Sequence, residues 1–148
     1  MPWWSLSDVS PAWPKHLLHH ISVGVSNIVK SGEFYDAILE PLGYIRAFSD
    51  LRPGEQHQAI GYGLEPDKDK FTIKERNSGD LAAGKGFHLA FTAPSIEAVN
   101  DWHARGLQLG ATDQGSPKFW DEFGPNYYAA YLIDPDGWQI EAVFKQPE

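Results

Sequence analysis

The stretch KHLLHHISVGVSN, Lys15 to Asn27, places His16, His19 and His20 just ahead of a segment with strand-like alternation. Imidazole ligates metals, accepts protons and donates hydrogen bonds, so what matters is which of the three shares a face with other chemistry. A second alternating segment, HLAFTA, opens on His88, 68 positions after His20 (88 − 20). His20 shares its face with Ser22 and Gly24, whereas His19 points with the apolar set Ile21, Val23 and Val25. His20 is therefore the counterpart of His88, and His16 reads as exposed.

The third candidate is Glu141 in GWQIEAVF. Ile140, Ala142 and Phe144 form one face of that segment, and Gln139, Glu141 and Val143 form the other. A carboxylate among apolar neighbours is costly unless it is paired or binds a cation. Two neutral imidazoles and a carboxylate make a donor set for Zn, Fe(II), Mn, Ni or Co, with coordination positions left open. The bland alternative is a pair of hydrogen-bonded core histidines and a solvated glutamate.

These residues sit in a chain that repeats itself. HISVGVSNIVKSGEFYDAILEPLG and HLAFTAPSIEAVNDWHARGLQLG align at offset 68, for example Trp102 on Phe34 (102 − 34). Each half reads strand, helix, then strands. The first helix covers Ile28–Leu39, turns Ile28, Phe34, Ile38 and Leu42 inward, and stops at Pro41. The second follows Pro94 with Ser95 as N-cap, buries Ile96, Val99 and Trp102, and is expected to end at Gly106. Strands are expected near Tyr44–Phe48, Gln56–Tyr62, Phe71–Lys74, Asn126–Ile133 and Trp138–Phe144. Asp134–Gly137, DPDG, reads as a four-residue hairpin loop, which pairs Ile133 with Trp138 and sets Ala130 opposite Glu141. That register puts Tyr128 and Leu132 on the face of Glu141.

The 148 residues fit one domain, read as 17–148 with halves of roughly 17–76 and 85–146, a linker at Gly79–Gly86 and a Trp- and Pro-rich arm at 1–16. The arm is expected to pack over the core or a subunit contact. A net charge of −8 argues against a nucleic-acid partner, which requires a basic face, and suits a cationic ligand. No signal peptide and no run of about 20 apolar residues is visible, so no membrane partner is expected. The absence of Cys excludes disulfides and thiolate chemistry and fits a cytoplasmic protein.

Three segments, HHISVGVSN…FYDAILEPLGY, GFHLAFTAP and PNYYAAYLIDPDGWQIEAVF, make nearly all of Leu17 to Lys145 resemble the vicinal oxygen chelate superfamily. That superfamily contains the glyoxalase, bleomycin-resistance and extradiol-dioxygenase families. The resemblance implies an α+β fold of two tandem βαβββ modules, a mixed sheet curled around a central cavity, and helices outside. It implies metal ligands on the first and last strands of each module, which fall on His20, His88 and Glu141. The remaining ligand position falls on Lys74, aligned with Glu141 (141 − 74 = 67). A protonated lysine cannot ligate, which departs from the glyoxalase I pattern and argues against that activity; a metal-free Lys74–Glu141 pair is the alternative. A homodimer is also implied.

The expected function is a lyase- or isomerase-type metalloenzyme acting on a small molecule with two neighbouring oxygens, using a divalent ion (Zn, Ni, Mn, Co or Fe). Glu141 is the candidate base, Tyr128 a hydrogen-bond donor to substrate, Phe119 and Trp120 a cover, and His57 a further pocket residue. The rival readings are a drug-sequestering protein without catalysis and an Fe(II) dioxygenase.

Overall fold

The computed structural model of the chain describes residues 18–81 and 84–146. The N-terminal arm, with Trp3, Trp4 and Trp13, lies outside the described residues. Two βαβββ modules follow one another. The first comprises β1 (Ile21–Val25), α1 (Ile28–Leu39), β2 (Ile45–Asp50), β3 (Ala59–Gly63) and β4 (Phe71–Glu75). The second comprises β5 (Leu89–Thr92), α2 (Ile96–Gln108), β6 (Thr112–Phe119), β7 (Tyr127–Ile133) and β8 (Gln139–Lys145). Rather than one curled sheet there are two four-stranded mixed sheets, ordered β1-β4-β3-β2 and β5-β8-β7-β6. In each, the first strand runs parallel to the last and the other pairs are antiparallel. No helix among the described residues is long and apolar enough to cross a membrane.

Both helices start on a side-chain cap. Asn27 accepts from the backbone N–H of Val29 and Lys30, and Ser95 from that of Ala98, which satisfies otherwise orphaned donors. The apolar stripe of α1 (Ile28, Phe34, Tyr35, Ile38, Leu39) and that of α2 (Ala98, Val99, Trp102) face one continuous core with Val23, Val25, Ile73, Phe91, Leu132 and Ile140. Each helix covers a face of its own sheet, and the two helices pack on each other. Gly106 does not end α2, which continues to Gln108. A Cβ at Gly106 would stand 2.4 Å from the Leu132 side chain, so the glycine serves close helix–sheet approach instead.

The opposite face of each sheet carries no helix. The alternation expected for β1 and β5 holds: Val23, Val25, Leu89 and Phe91 are buried, and Ser22, Ala90 and Thr92 are exposed. Strand β6 was absent from the strands read locally, because TDQGSPKF is polar, contains Gly115 and Pro117, and joins β7 through two register shifts. Its α2 neighbour pins it. His103 Nε2 lies 2.8 Å from Asp113 Oδ1, which also accepts the Gly115 N–H at 3.0 Å.

The β7–β8 turn joins the modules. Buried Asp134 accepts the Tyr35 hydroxyl on α1 at 2.5 Å and the backbone N–H groups of Asp136 and Trp138. Asp136 takes the backbone N–H and hydroxyl of Ser26, and Trp138 Nε1 donates to Gly24 O at 2.7 Å. Burial pushes both the Asp134 carboxyl and the Tyr35 phenol above their usual ranges, and the neighbouring Asp134 charge raises the phenol further.

Two stability predictions follow from these contacts. Asp134→Ala leaves two buried donors and the half-buried Asp136 N–H without an acceptor, at about 1–3 kcal/mol for each buried one if none finds a substitute; urea unfolding should show a loss of at least about 2 kcal/mol with little change in slope. The hydrogen bond to His103, then the Gly115 N–H, hold the Asp113 carboxyl below its usual range. Its folded pKa is below the unfolded value of about 3.9, so its contribution is present above that value and is lost as pH falls through the folded one. Asp113→Asn should therefore lower Tm at neutral pH, with the difference from the parent chain shrinking on acidification below about pH 4.

Candidate functional site

His88 immediately precedes β5, and Glu141 lies on β8 beside Ala90. Glu141 is 1% exposed, and its two oxygens have different partners. Oε2 is 3.2 Å from His88 Nε2, and Oε1 accepts the Tyr127 hydroxyl at 2.5 Å. The cost of withdrawing this carboxylate from water is thus offset by two polar partners. The His88 side chain is 51% exposed, so one edge of the pair is open to a ligand. Burial, then Glu141, raise the phenol of Tyr127 well above its usual range and push that of Tyr131 up to about 12. Both hydroxyls therefore remain protonated near neutral pH.

The tyrosines are there because of register. Ile133 pairs with Gln139, not Trp138, since Asp134 N–H bonds to Trp138 O and shortens the loop to 135–137. That one-residue difference reverses which side chains of β7 share the face of Glu141. Tyr131 lies directly across from Glu141, with Ala129 and Tyr127 on the same face. Tyr128, expected beside Glu141, points the other way and donates to Asn100 Oδ1 on α2 at 2.7 Å. Leu132 likewise packs in the core.

A recess of about 290 Å3 opens beside His88, walled by Gln114, Trp120, Phe123, Tyr131 and Gln139. Trp120 anchors its indole N–H on Ala129 O at 2.9 Å and meets Tyr131 edge-on, with ring centroids 5.2 Å apart. Lys118 Nζ sits 4.0 Å from the Trp120 ring centre. Phe123 stacks between Trp120 and Tyr127 and is 56% exposed. Phe119 turns away to contact Tyr128.

No family model matches the sequence, and no curated protein does. A glyoxalase/bleomycin resistance protein from Albidiferax ferrireducens T118 is 32% identical over 89% of this chain and 100% of its own, with a TM-score of 0.70. The chain belongs to the glyoxalase/bleomycin resistance protein family. Two more distant solved structures share the fold. A glyoxalase I variant from Zea mays is 20% identical over 85% of this chain and 46% of its own, with a TM-score of 0.65. The fosfomycin resistance protein FosX from Listeria monocytogenes is 19% identical over 87% and 93%, with a TM-score of 0.61. The vicinal oxygen chelate superfamily is thus the right frame for the site.

Within that frame, one chain of this glyoxalase-like protein brings together two of its three candidate ligands. His88 and Glu141 meet. His20 stands on the other sheet's edge, exposed, with its Nδ1 2.8 Å from that of His19. Among the described residues no three His, Asp or Glu side chains converge as a metal site. The donor chemistry of imidazole and carboxylate fits a borderline divalent ion, and His88 with Glu141 forms two of the three ligands of such a set.

The fourth ligand position also moves. Ser22 pairs with Thr72 as its repeat counterpart Ala90 (90 − 22 = 68) pairs with Glu141. Thr72, not Lys74, therefore occupies the place of Glu141 in the first module, and its hydroxyl donates to Asp69 Oδ2 at 2.6 Å. Lys74 lies opposite Gly24 and makes no ion pair with Glu141. His57 is not in β3; it sits in the preceding loop at φ 66° and lines a separate polar cleft of about 360 Å3 with Ser26, Glu75 and Arg76.

The wall of the recess depends on Gly115. A Cβ there would meet the Tyr131 ring at 2.9 Å and the Trp120 ring at 3.0 Å. Gly115→Ala should displace Trp120, altering near-UV circular dichroism and costing about 1–3 kcal/mol in urea unfolding. An unchanged spectrum and stability would show that the ring contact is not what confines this position.

Proposed function

We propose that the protein is a metal-dependent enzyme of lyase or isomerase type, acting on a small molecule with two adjacent oxygens. The divalent ion would be held by His88 and Glu141 and, from a second copy of the chain, by His20. The observation that carries this reading is the meeting of His88 with a fully buried Glu141 on an otherwise helix-free face. A bound ion supplies positive charge that stabilises negative charge developing on the substrate's oxygens. The chain's own residues supply the rest. Tyr127 fixes Glu141 through Oε1, which leaves Oε2 as the oxygen directed at His88 and able to take a proton from a carbon next to those oxygens. Trp120 and Phe123 wall the recess that His88 lines.

A second reading is favoured by a specific observation: both Glu141 oxygens already have partners within the chain. In that case the protein sequesters a small molecule and holds no ion. An Fe(II)-dependent oxygenase would differ from the first reading in its metal.

Elemental analysis of untagged protein purified without chelator separates these. The enzyme reading expects a stoichiometric divalent ion that is lost in both His20→Ala and His88→Ala. Mixing the two variants should restore part of the metal content, because one mixed site regains all three ligands. Iron as the sole metal favours oxygen chemistry. Metal-free wild-type protein, with ligand binding intact in His88→Ala, leaves only sequestration.

A further inference from the structure

The recess beside His88 has a composition that the metal-site reading does not use. Its walls are rings and carboxamides: Trp120, Phe123, Tyr131, Gln114 and Gln139, with no Lys or Arg among the described lining residues. The rings are set at angles to one another. Trp120 and Tyr131 cross at 86°, and Phe123 is tilted 31° from Trp120 and 61° from Tyr127. Such an arrangement turns several electron-rich faces and edges toward one small volume.

Charges of both signs lie near the recess. The Glu141 carboxylate lies behind His88, and Glu122, in the turn that carries Phe123, is close enough to act on Tyr131 through its charge. The chain as a whole carries −8. Lys118 places its ammonium 4.0 Å from the Trp120 ring centre, the distance at which a cation is attracted to an aromatic face. The wall already holds one tethered ammonium.

We propose that this recess selects a small organic cation, binding an alkylammonium group against Trp120, Phe123 and Tyr131. This rests on the reading above for placing the substrate at this face, and adds that the substrate carries its positive charge on the side turned away from its oxygens. Attraction of an ammonium to the π faces, backed by carboxylates and with Lys118 on Trp120 as the one ammonium it must share the wall with, distinguishes it from a neutral body of the same shape.

The test is a comparison of isosteres by titration calorimetry. Choline and 3,3-dimethylbutan-1-ol have nearly the same shape and differ in charge. Choline should bind at least about tenfold more tightly. The preference should fall several-fold in Phe123→Leu, an exposed position whose replacement leaves folding intact, and disappear in Trp120→Leu. Equal affinity for the two probes, or no binding of choline, overturns the proposal. The titrations are made on chelator-treated protein and repeated on His20→Ala. A cation preference that persists there, whatever the elemental analysis gives, separates this inference from the metal reading.

Discussion

A fully buried carboxylate is the constraint on which the open face of the second module depends. Glu141 has only β8 backbone and the neighbouring strands around it, and water does not reach it. Left alone it would be expelled or protonated; held by His88 on one oxygen and Tyr127 on the other, it stays where the strand puts it. The positions of β5 and β7 relative to β8 are therefore not merely compatible with the site. A register slip of one residue in either would remove a partner and leave the charge stranded.

The chain uses the same device twice. Asp134 is also buried, also accepts a tyrosine hydroxyl at 2.5 Å, and lies in the β7–β8 turn. There the remaining lone pairs go to backbone N–H groups of its own turn, so nothing is left for a ligand. At Glu141 the second partner is an imidazole with half its surface exposed. One carboxylate is closed and ties the modules together; the other, equally buried, has as its last partner an imidazole that lines the recess. Burial alone does not tell the two acids apart, but the identity of the last partner does.

Much of this was legible in the sequence, and the misses have definite causes. Alternation in HISVGVS, HLAFTA and QIEAVF placed His20, His88 and Glu141 on helix-free faces, because period-2 burial is strong wherever one face meets a core. The helices were legible from their apolar stripes and, for α2, its cap. Tyr127 and Tyr131 were missed because the hairpin loop was counted one residue too long; the signal was there in Asp134, whose carboxylate and N–H both reach Trp138 and close a three-residue loop. Thr72 escapes the sequence because an offset of 67 does not carry strand register, which the paired strands set at 69 (141 − 72). Strand β6 could not be read locally, since its polar residues belong to an edge that only tertiary pairing with β7 defines. The separation of His20 from the His88–Glu141 pair is a matter of how two modules sit together, which no local pattern encodes.

The register of β4 has a consequence for what the duplicated scaffold offers. Where the second half holds out an acid, the first holds a threonine whose proton is already given to Asp69, and the space over Gly61 is filled by the Phe48 ring and Asp69. The ancestral pseudo-symmetry survives in the backbone but not in its chemistry. Like strands thus carry unlike groups: a carboxylate held by an imidazole and a phenol in the second module, a hydroxyl tied to Asp69 in the first.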